Sequence, residues 1–515
     1  MSTATRSRPE FAGAPLCRCV SPCEVDVEVE QATTATVSEP GRWLALYVLC
    51  AGVLMIVLDT TIVNVALPTI QDDLGFSQSN LAWVVNAYLI AFGGLLLLAG
   101  RIGDLIGQRR IFLVGLGVFT VASLLCAVAQ SQAMLVGMRF VQGVGGALTS
   151  AVVLGMIVTM FPEPAEQAKA IGVYSFVASA GGTIGLLFGG VLTQATNWHW
   201  IFFVNVPLGV VAVFLALRLV VDKKGIGLER GADFPGAILL TGGLMLGVYT
   251  ILKVDTQGWA ATQTLALGAV SVALLAAFVA REARIATPLM PLRLFRSRNI
   301  AGANAVMALW AVGMFGMFFI GALYLQRILG YDALQIGLAF LPVTLVMGTL
   351  SLRFSGPLNM RFGPRATLIP SLVLVAAGLL LFTRTPVDGN YWSDILPVMV
   401  LLGLGAGLAA PSLMTLSMTG ATPTDSGLAS GLVNTTIQMG GAVGLAVLAT
   451  FASQRTNNLL AGGESHAEAL NTGYHLAYLI SAALVVVATA IAATVLRSGT
   501  AAAGAGHAEL AGEPA

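Results

Sequence analysis

Charge is what this chain has least of. Only 10% of its 515 residues are Asp, Glu, Lys or Arg, against about a quarter in a soluble globular protein, while 57% are hydrophobic and mean hydropathy is +0.85. That balance excludes a water-soluble fold, and a formal net charge of +1 excludes a nucleic-acid-binding surface. Histidine is scarcer still. His199, His466, His475 and His507 are scattered along the chain, so they form no metal constellation, and a membrane enzyme would lack ligands and base alike. No Lys follows a Gly, which removes the phosphate-binding loop that ATP drive would need. Of five cysteines, Cys50 and Cys126 lie in apolar runs as small packing residues. Cys17, Cys19 and Cys23 cluster near the N-terminus, short of the four ligands a zinc site usually takes.

What the sequence does have is apolar runs. Each is long enough to cross the roughly 30 Å hydrocarbon core at about 1.5 Å per residue, and they number fourteen. The first seven span about 43–66, 81–99, 111–129, 134–160, 170–192, 201–221 and 234–251; the second seven span about 264–280, 301–325, 336–352, 366–382, 395–416, 428–451 and 475–496. With both termini cytoplasmic, cytoplasmic segments hold 21 of the 26 basic residues and the outer loops hold Lys253, Arg327, Arg384 and Arg455, as the positive-inside rule requires. Arg139 remains, inside helix 4.

The chain also repeats itself. Leu74-Gly75-Phe76 is echoed by Leu329-Gly330-Tyr331, Gly100–Arg109 by Gly356–Arg365, and Gly172, Gly181, Gly182 and Gly185 by Gly431, Gly440, Gly441 and Gly444. The expected fold is therefore an all-α membrane protein of two pseudo-symmetric six-helix bundles, residues 42–221 and 300–497, with an inserted helix pair and central cytoplasmic loops over 222–299. Residues 1–41 and 498–515 read as disordered cytoplasmic tails.

Asp59 stands out in helix 1. A carboxylate at the centre of a spanning helix costs about 2.5 to 3.5 kcal/mol on insertion scales, so it is expected to face the bundle interior and to serve function. Counting from Trp43, Asp59 lies about 24 Å up the core, and Arg139 lies about 8 Å below the outer surface from which helix 4 descends. The two share a depth. Arg139 either finds a buried partner there or snorkels to the outer surface. Between helices 2 and 3, Gly100–Arg110 (GRIGDLIGQRR) is expected as a tight turn whose Asp104 meets helix N-termini or the neighbouring arginines. A positive-inside turn fits it as well. Glycines in helices 4 and 5 (Gly143, Gly145, Gly146; Gly181, Gly182, Gly185, Gly189, Gly190) mark close helix contacts, in helix 5 between halves that must rock. In helix 9, Trp310, Met314, Phe315, Met317, Phe318 and Phe319 form either an adaptable ligand wall or a lipid face.

Four of these stretches, Leu58–Pro68, Gly100–Arg110, Arg139–Gly146 and the glycine-rich helix 5, resemble in order the conserved motifs of the major facilitator superfamily. The fourteen helices and the Trp200–Pro207 run WIFFVNVP resemble its drug:proton antiporter family of EmrB/QacA type. One departure is Leu186, where the antiporter motif has proline. The resemblance implies a proton-coupled exporter of hydrophobic or cationic small molecules such as antibiotics, working by alternating access in the cell membrane. It implies no enzyme activity and no cofactor, the proton gradient being the drive. An exporter of one endogenous metabolite, lipid or siderophore is the alternative. Partners are a small-molecule substrate, protons and the bilayer, with no nucleic acid; a monomer is expected, with an accessory export protein left open. By the same resemblance Asp59 is a protonation or substrate-cation site and Arg139 its proton-relay neighbour, with Asn64 and Gln142 of the same motifs in the coupling site. Gly100, Arg101, Gly103, Asp104, Gly107, Arg109 and Arg110 would gate the cytoplasmic side, and Gly181, Gly182, Gly185, Gly189 and Gly190 would be the antiporter-motif glycines.

Overall fold

The computed structural model describes residues 39–221, 225, 227, 233–285, 288–290, 292–418 and 426–497. The cysteine cluster Cys17, Cys19 and Cys23 and both expected tails lie outside the described residues, apart from positions 39–41. In chain order the spanning elements are α1 (Glu39–Leu74), α2 (Gln78–Ile106), α3 (Gln108–Ala127), α4 (Gln132–Met160), α5 (Pro164–Ala195), α6 (Trp200–Leu219, with a break at Val204) and α7 (Phe234–Gln257). They continue as α8 (Thr262–Glu282), α9 (Arg298–Arg327), α10 (Ala333–Phe362), α11 (Pro364–Phe382), α12 (Tyr391–Ser417), α13 (Ser426–Ala461) and α14 (His466–Thr494). Thirteen are long and apolar enough to cross a membrane among the described residues, and α5, 32 residues long, is the fourteenth rod.

The helices overrun the apolar windows at their ends. Satisfying backbone groups inside a helix is cheaper than leaving them open near lipid, so the regular structure continues into polar flanks until a cap stops it. Ser77, Ser131, Ser297 and Ser465 each cap a helix start through their hydroxyls, and Asp332 with Gln335 forms a reciprocal capping box on α10. Arg455 and His466, expected in an outer loop, thus belong to α13 and α14.

The expected turn over Gly100–Arg110 is a correction of the same kind. α2 runs on through Asp104 to Ile106, only Gly107 breaks the helix, and α3 starts at Gln108. Gly107 has φ +121, open to glycine at little cost, and Gly363 at φ +85 repeats that junction between α10 and α11. Gly75 and Gly330, with φ of +66 and +70, repeat the junction after α1 and α9. The duplication is thus written in the backbone as well as in the letters.

Two seams join the halves, α2 on α13 and α5 on α10, and the duplication relates them. The inserted pair is seated on one only. α7 packs on α2 and α13, and the hydroxyl of Thr450 and the amide of Gln454 on α13 donate to the carbonyls of Ile251 and Val254 (3.1 and 3.3 Å). α8 rests on α7 and turns Leu265, Val272 and Val279 outward, where a bilayer would solvate them.

Between the halves, the inner stripe of α1 grades from exposed to shut. Leu44 and Tyr47 are 52% and 55% exposed, Leu54, Val57, Thr60, Thr61 and Asn64 are half-buried, and Leu67 and Ile70 are sealed. Leu54 and Val57 of this stripe lie against Gly181 of α5 and Thr61 against Gly185, and the exposed end of the stripe is the end that carries the α2–α3 junction. At the other end Arg327 of α9 pairs with Asp72 and donates to Gln71 Oε1 (3.2 Å) on α1. Nearby, a Cβ on Gly190 of α5 would stand 2.7 Å from the Ala333 carbonyl of α10. Gly190→Val should therefore cost about 1 to 3 kcal/mol by overpacking. Gly182→Ala, whose nearest neighbour would be 4.0 Å away, should leave the melting temperature unchanged. Thermal unfolding of the purified variants checks the contrast.

Candidate functional site

An apolar helix that carries one carboxylate must aim it at donors. α1 turns Asp59 away from the half-open stripe and into the N-terminal half, where it is fully buried (0% exposed) among α1, α3, α4 and α6. Arg139 on α4, 1% exposed, pairs with Asp59 Oδ2 through Nη1. Gln142, three residues on and so on the same helix face, donates from Nε2 to Asp59 Oδ1 at 2.7 Å. Asn205 of α6 donates to the same oxygen at 3.3 Å. Every bond the carboxylate needs comes from the protein itself.

The partners are held in turn. Arg139 Nε donates to the Val84 carbonyl of α2 (2.9 Å) and Nη1 to Gln142 Oε1 (2.7 Å), while its guanidinium carbon lies 4.5 Å from the Tyr88 ring centre and 5.7 Å from that of Phe202. Gln142 Nε2 also donates to Ser123 Oγ of α3 (2.8 Å), whose hydroxyl donates to the Phe119 carbonyl (2.8 Å). Gly143 and Gly145 of α4 let α2 and α3 come this close: a Cβ on either would lie 2.5 Å from a backbone atom, of Tyr88 and Phe119 respectively. Taking two charges out of water costs several kcal/mol each, and only such a complete bonding shell offsets it.

Three of the four coupling residues expected from the sequence are thus brought together: Asp59, Arg139 and Gln142. Asn64 is not. Its amide donates to the Thr60 carbonyl at 2.9 Å on the half-open stripe, because five residues of helix turn it off the Asp59 face. Snorkelling of Arg139 is ruled out by its burial. Asn205, Ser123 and Tyr88 were not foreseen; Asn205 stood in the WIFFVNVP run as the one amide in an apolar helix, the signal that betrayed Asp59.

At the α2–α3 junction Asp104 is exposed and accepts from Gln108 Nε2 (3.3 Å) across the hinge, while Arg109 Nη2 donates to the Leu217 carbonyl of α6 at 2.6 Å. Gly103 lies against Val152 of α4, and Gly100 near Ala151. Arg101 and Arg110 are placed at the same end. In α5, Gly181, Gly185 and Gly189 meet α1, Gly190 meets α10, and Gly182 has only ordinary contact. The expected aromatic wall of α9 is mostly core: Trp310, Met314, Met317 and Phe319 are at most 7% exposed, which leaves Phe315 and Phe318 half-buried.

A duplicated six-plus-six membrane bundle, split by two related seams and carrying one sealed ion pair, is the build of a secondary transporter. The Major Facilitator Superfamily model matches residues 49–445 and 354–511, and the chain belongs to that family. It is 38% identical to the puromycin resistance protein of Streptomyces alboniger over 89% of this chain and 92% of that one. It is also 38% identical to the cephamycin export protein of Amycolatopsis lactamdurans over 82% and 87%, and 34% identical to the tetracenomycin C resistance and export protein of Streptomyces glaucescens over 81% and 77%. Among solved structures, an inward-facing bacterial homologue of the human lysosomal transporter Spinster shares the fold with TM-score 0.65 at 16% identity, over 88% of this chain and 97% of that one.

Removing one member of a buried pair strands the other charge, at a cost of about 3 to 5 kcal/mol, whereas removing both is far milder. Arg139→Gln should therefore lower the melting temperature sharply, and the double variant Asp59→Asn/Arg139→Gln should recover most of it. A double-mutant cycle by thermal unfolding checks this.

Proposed function

We propose that the chain is a proton-coupled exporter of antibiotics and similar hydrophobic or cationic small molecules, exchanging substrate for protons across the plasma membrane. The observation that carries the reading is the position of Asp59: sealed, fully bonded, and turned away from the half-open stripe. A carboxylate that recognised a cationic substrate would stand in the substrate's path. This one is turned about 140° round the helix from Asn64 and sealed among protein donors, and so suits a proton.

The chemistry follows from the bonds. A proton on Asp59 Oδ2 removes the charge that Arg139 Nη1 holds, while the guanidinium keeps Gln142 Oε1, the Val84 carbonyl and the faces of Tyr88 and Phe202. The link between α1 and α4 then loosens, and the cation is left with neutral partners alone, a cost that favours rearrangement of the two helices. α1 also packs on the glycines of α5 and, through Asp72, pairs with Arg327 of the other half, so a shift of α1 would reach both halves. Substrate would lie along Leu54, Val57, Thr60, Thr61 and Asn64, with Phe315 and Phe318 opposite. Relatives named for puromycin, cephamycin, tetracenomycin C and methylenomycin A support an antibiotic as cargo.

Purified protein in weakly buffered detergent should release protons when puromycin or tetracenomycin C is added. Asp59→Asn should fold and release none, and Arg139→Lys should retain part of the response as a charge without the fork. Wild-type release from Asp59→Asn would make Asp59 a structural carboxylate. The basic-residue split supports cytoplasmic termini. Glu464→Cys, in the exposed turn between α13 and α14, should accordingly react with a membrane-impermeant maleimide added to intact cells.

A further inference from the structure

Away from Asp59, at the base of the inserted pair, two more carboxyl groups are buried together. Asp233 starts α7 and is 1% exposed; Glu282 ends α8 and is 3% exposed. Each uses one oxygen. Asp233 Oδ1 accepts from the Gly236 amide (3.0 Å) and from Arg281 Nε (2.7 Å), and Glu282 Oε2 accepts from the Met290 amide (2.8 Å). The other two oxygens, Asp233 Oδ2 and Glu282 Oε1, are buried without a hydrogen-bond partner among the described residues. Both converge over Gly236: a Cβ there would collide with Asp233 Oδ2 and stand 3.1 Å from Glu282 Oε1, so only glycine leaves the space open.

Two acceptors cannot bond to each other. With both groups ionised, each would keep one buried oxygen without a donor, and the pair would repel as well. Arg281 balances one negative charge. From this convergence we infer that Asp233 and Glu282 share one proton, a second protonation site of the protein that is separate from Asp59 and bridges the two inserted helices.

The site lies where it can act on the rest of the bundle. Ala237 and Leu289, beside the two carboxyls, form a small apolar cluster with Leu98 of α2, flanked by Leu95, Leu97 and Ile102. That is the last stretch of α2 before the Gly107 hinge. Among the described residues, the charged groups at this end of the packed elements are Arg101 and Asp104 on α2, Arg281 and Arg284 on α8, and Arg293 and Arg296 in the turn after it. With the proton present, the carboxyls are bonded across α7 and α8 and the base of the hairpin is held closed against α2. Its loss puts two like charges face to face and works the base open. The inserted pair thereby becomes a proton-sensitive wedge on one of the two seams.

Infrared spectroscopy of the full-length protein in nanodiscs tests this directly. Near neutral pH a protonated-carboxyl band should be present, persist in Asp59→Asn, and disappear in Glu282→Gln, whose amide supplies the missing donor permanently. Asp233→Asn, which keeps an acceptor for Gly236 and Arg281 and can donate to Glu282, should remove the same band and guards against misfolding of the first variant. The bound proton stabilises the fold at low pH and is lost as pH rises. The wild-type melting temperature should thus fall between pH 6 and pH 9 by about 2 °C more than that of Glu282→Gln. The same carboxyl band in wild type and both variants at every pH would overturn the inference. So would the absence of that band from wild type: both carboxyls would then be ionised, and ionised-carboxylate bands that shift with sodium or potassium concentration would show a metal ion filling the gap.

Discussion

One constraint governs this molecule: a charge inside an apolar bundle has to be answered within the bundle. Asp59 is answered by Arg139, Gln142 and Asn205, and Arg139 in turn by Val84, Tyr88 and Phe202. Four helices of one half are tied by that single cluster, and the glycines of α4 exist where they do because the bonds are short. Remove the carboxylate and the close approach of α4 to α2 and α3 has lost its purpose.

The same constraint explains why a duplicated chain is not symmetric. The position in α9 that corresponds to Asp59 by the repeat offset is Met314, 6% exposed, and the second half keeps its polar groups neutral, as in the bond from Thr436 to Asn304 at 2.9 Å. The buried charge centre is in the first half, and Met314 stands in the apolar core of the second. α1, which bears Asp59 on one face and the half-open stripe on the other, is the element through which the two communicate. The inserted pair adds a further asymmetry, since it packs on the α2–α13 seam, while at α5–α10 Gly190 and Gly337 let the two backbones meet directly.

Much of this was legible in the letters because membrane chemistry is unforgiving. Depth arithmetic at 1.5 Å per residue set Asp59 beside Arg139, since two lone charges in apolar runs at one level have few other partners. The backbone repeat at Gly75 and Gly330, and at Gly107 and Gly363, followed from spacing. What was not legible depends on rotation and on helix ends. Asn64 shares a motif with Asp59 but not a face, so proximity in sequence misled. Asn205 was hidden because an amide in a spanning helix is less costly than a charge and calls less attention to itself. The stretch Gly100–Arg110 looked like a loop from its charges, yet polar residues extend a helix as readily as apolar ones once the backbone bonds are in place. The α9 aromatics could not be assigned to ligand or lipid from periodicity, and the structure buries most of them in the second half's own core.

The central claim is that protonation of Asp59 shifts the balance between the two arrangements of the halves. Pulsed electron spin resonance between labels at Gln130 and Asp388, exposed residues of the two halves at the end shut by Arg327, measures that balance. The account predicts that the distance distribution of the wild type changes between pH 5 and pH 9, and that Asp59→Asn holds one distribution across that range. A distribution in Asp59→Asn that moves with pH as the wild type does would contradict it.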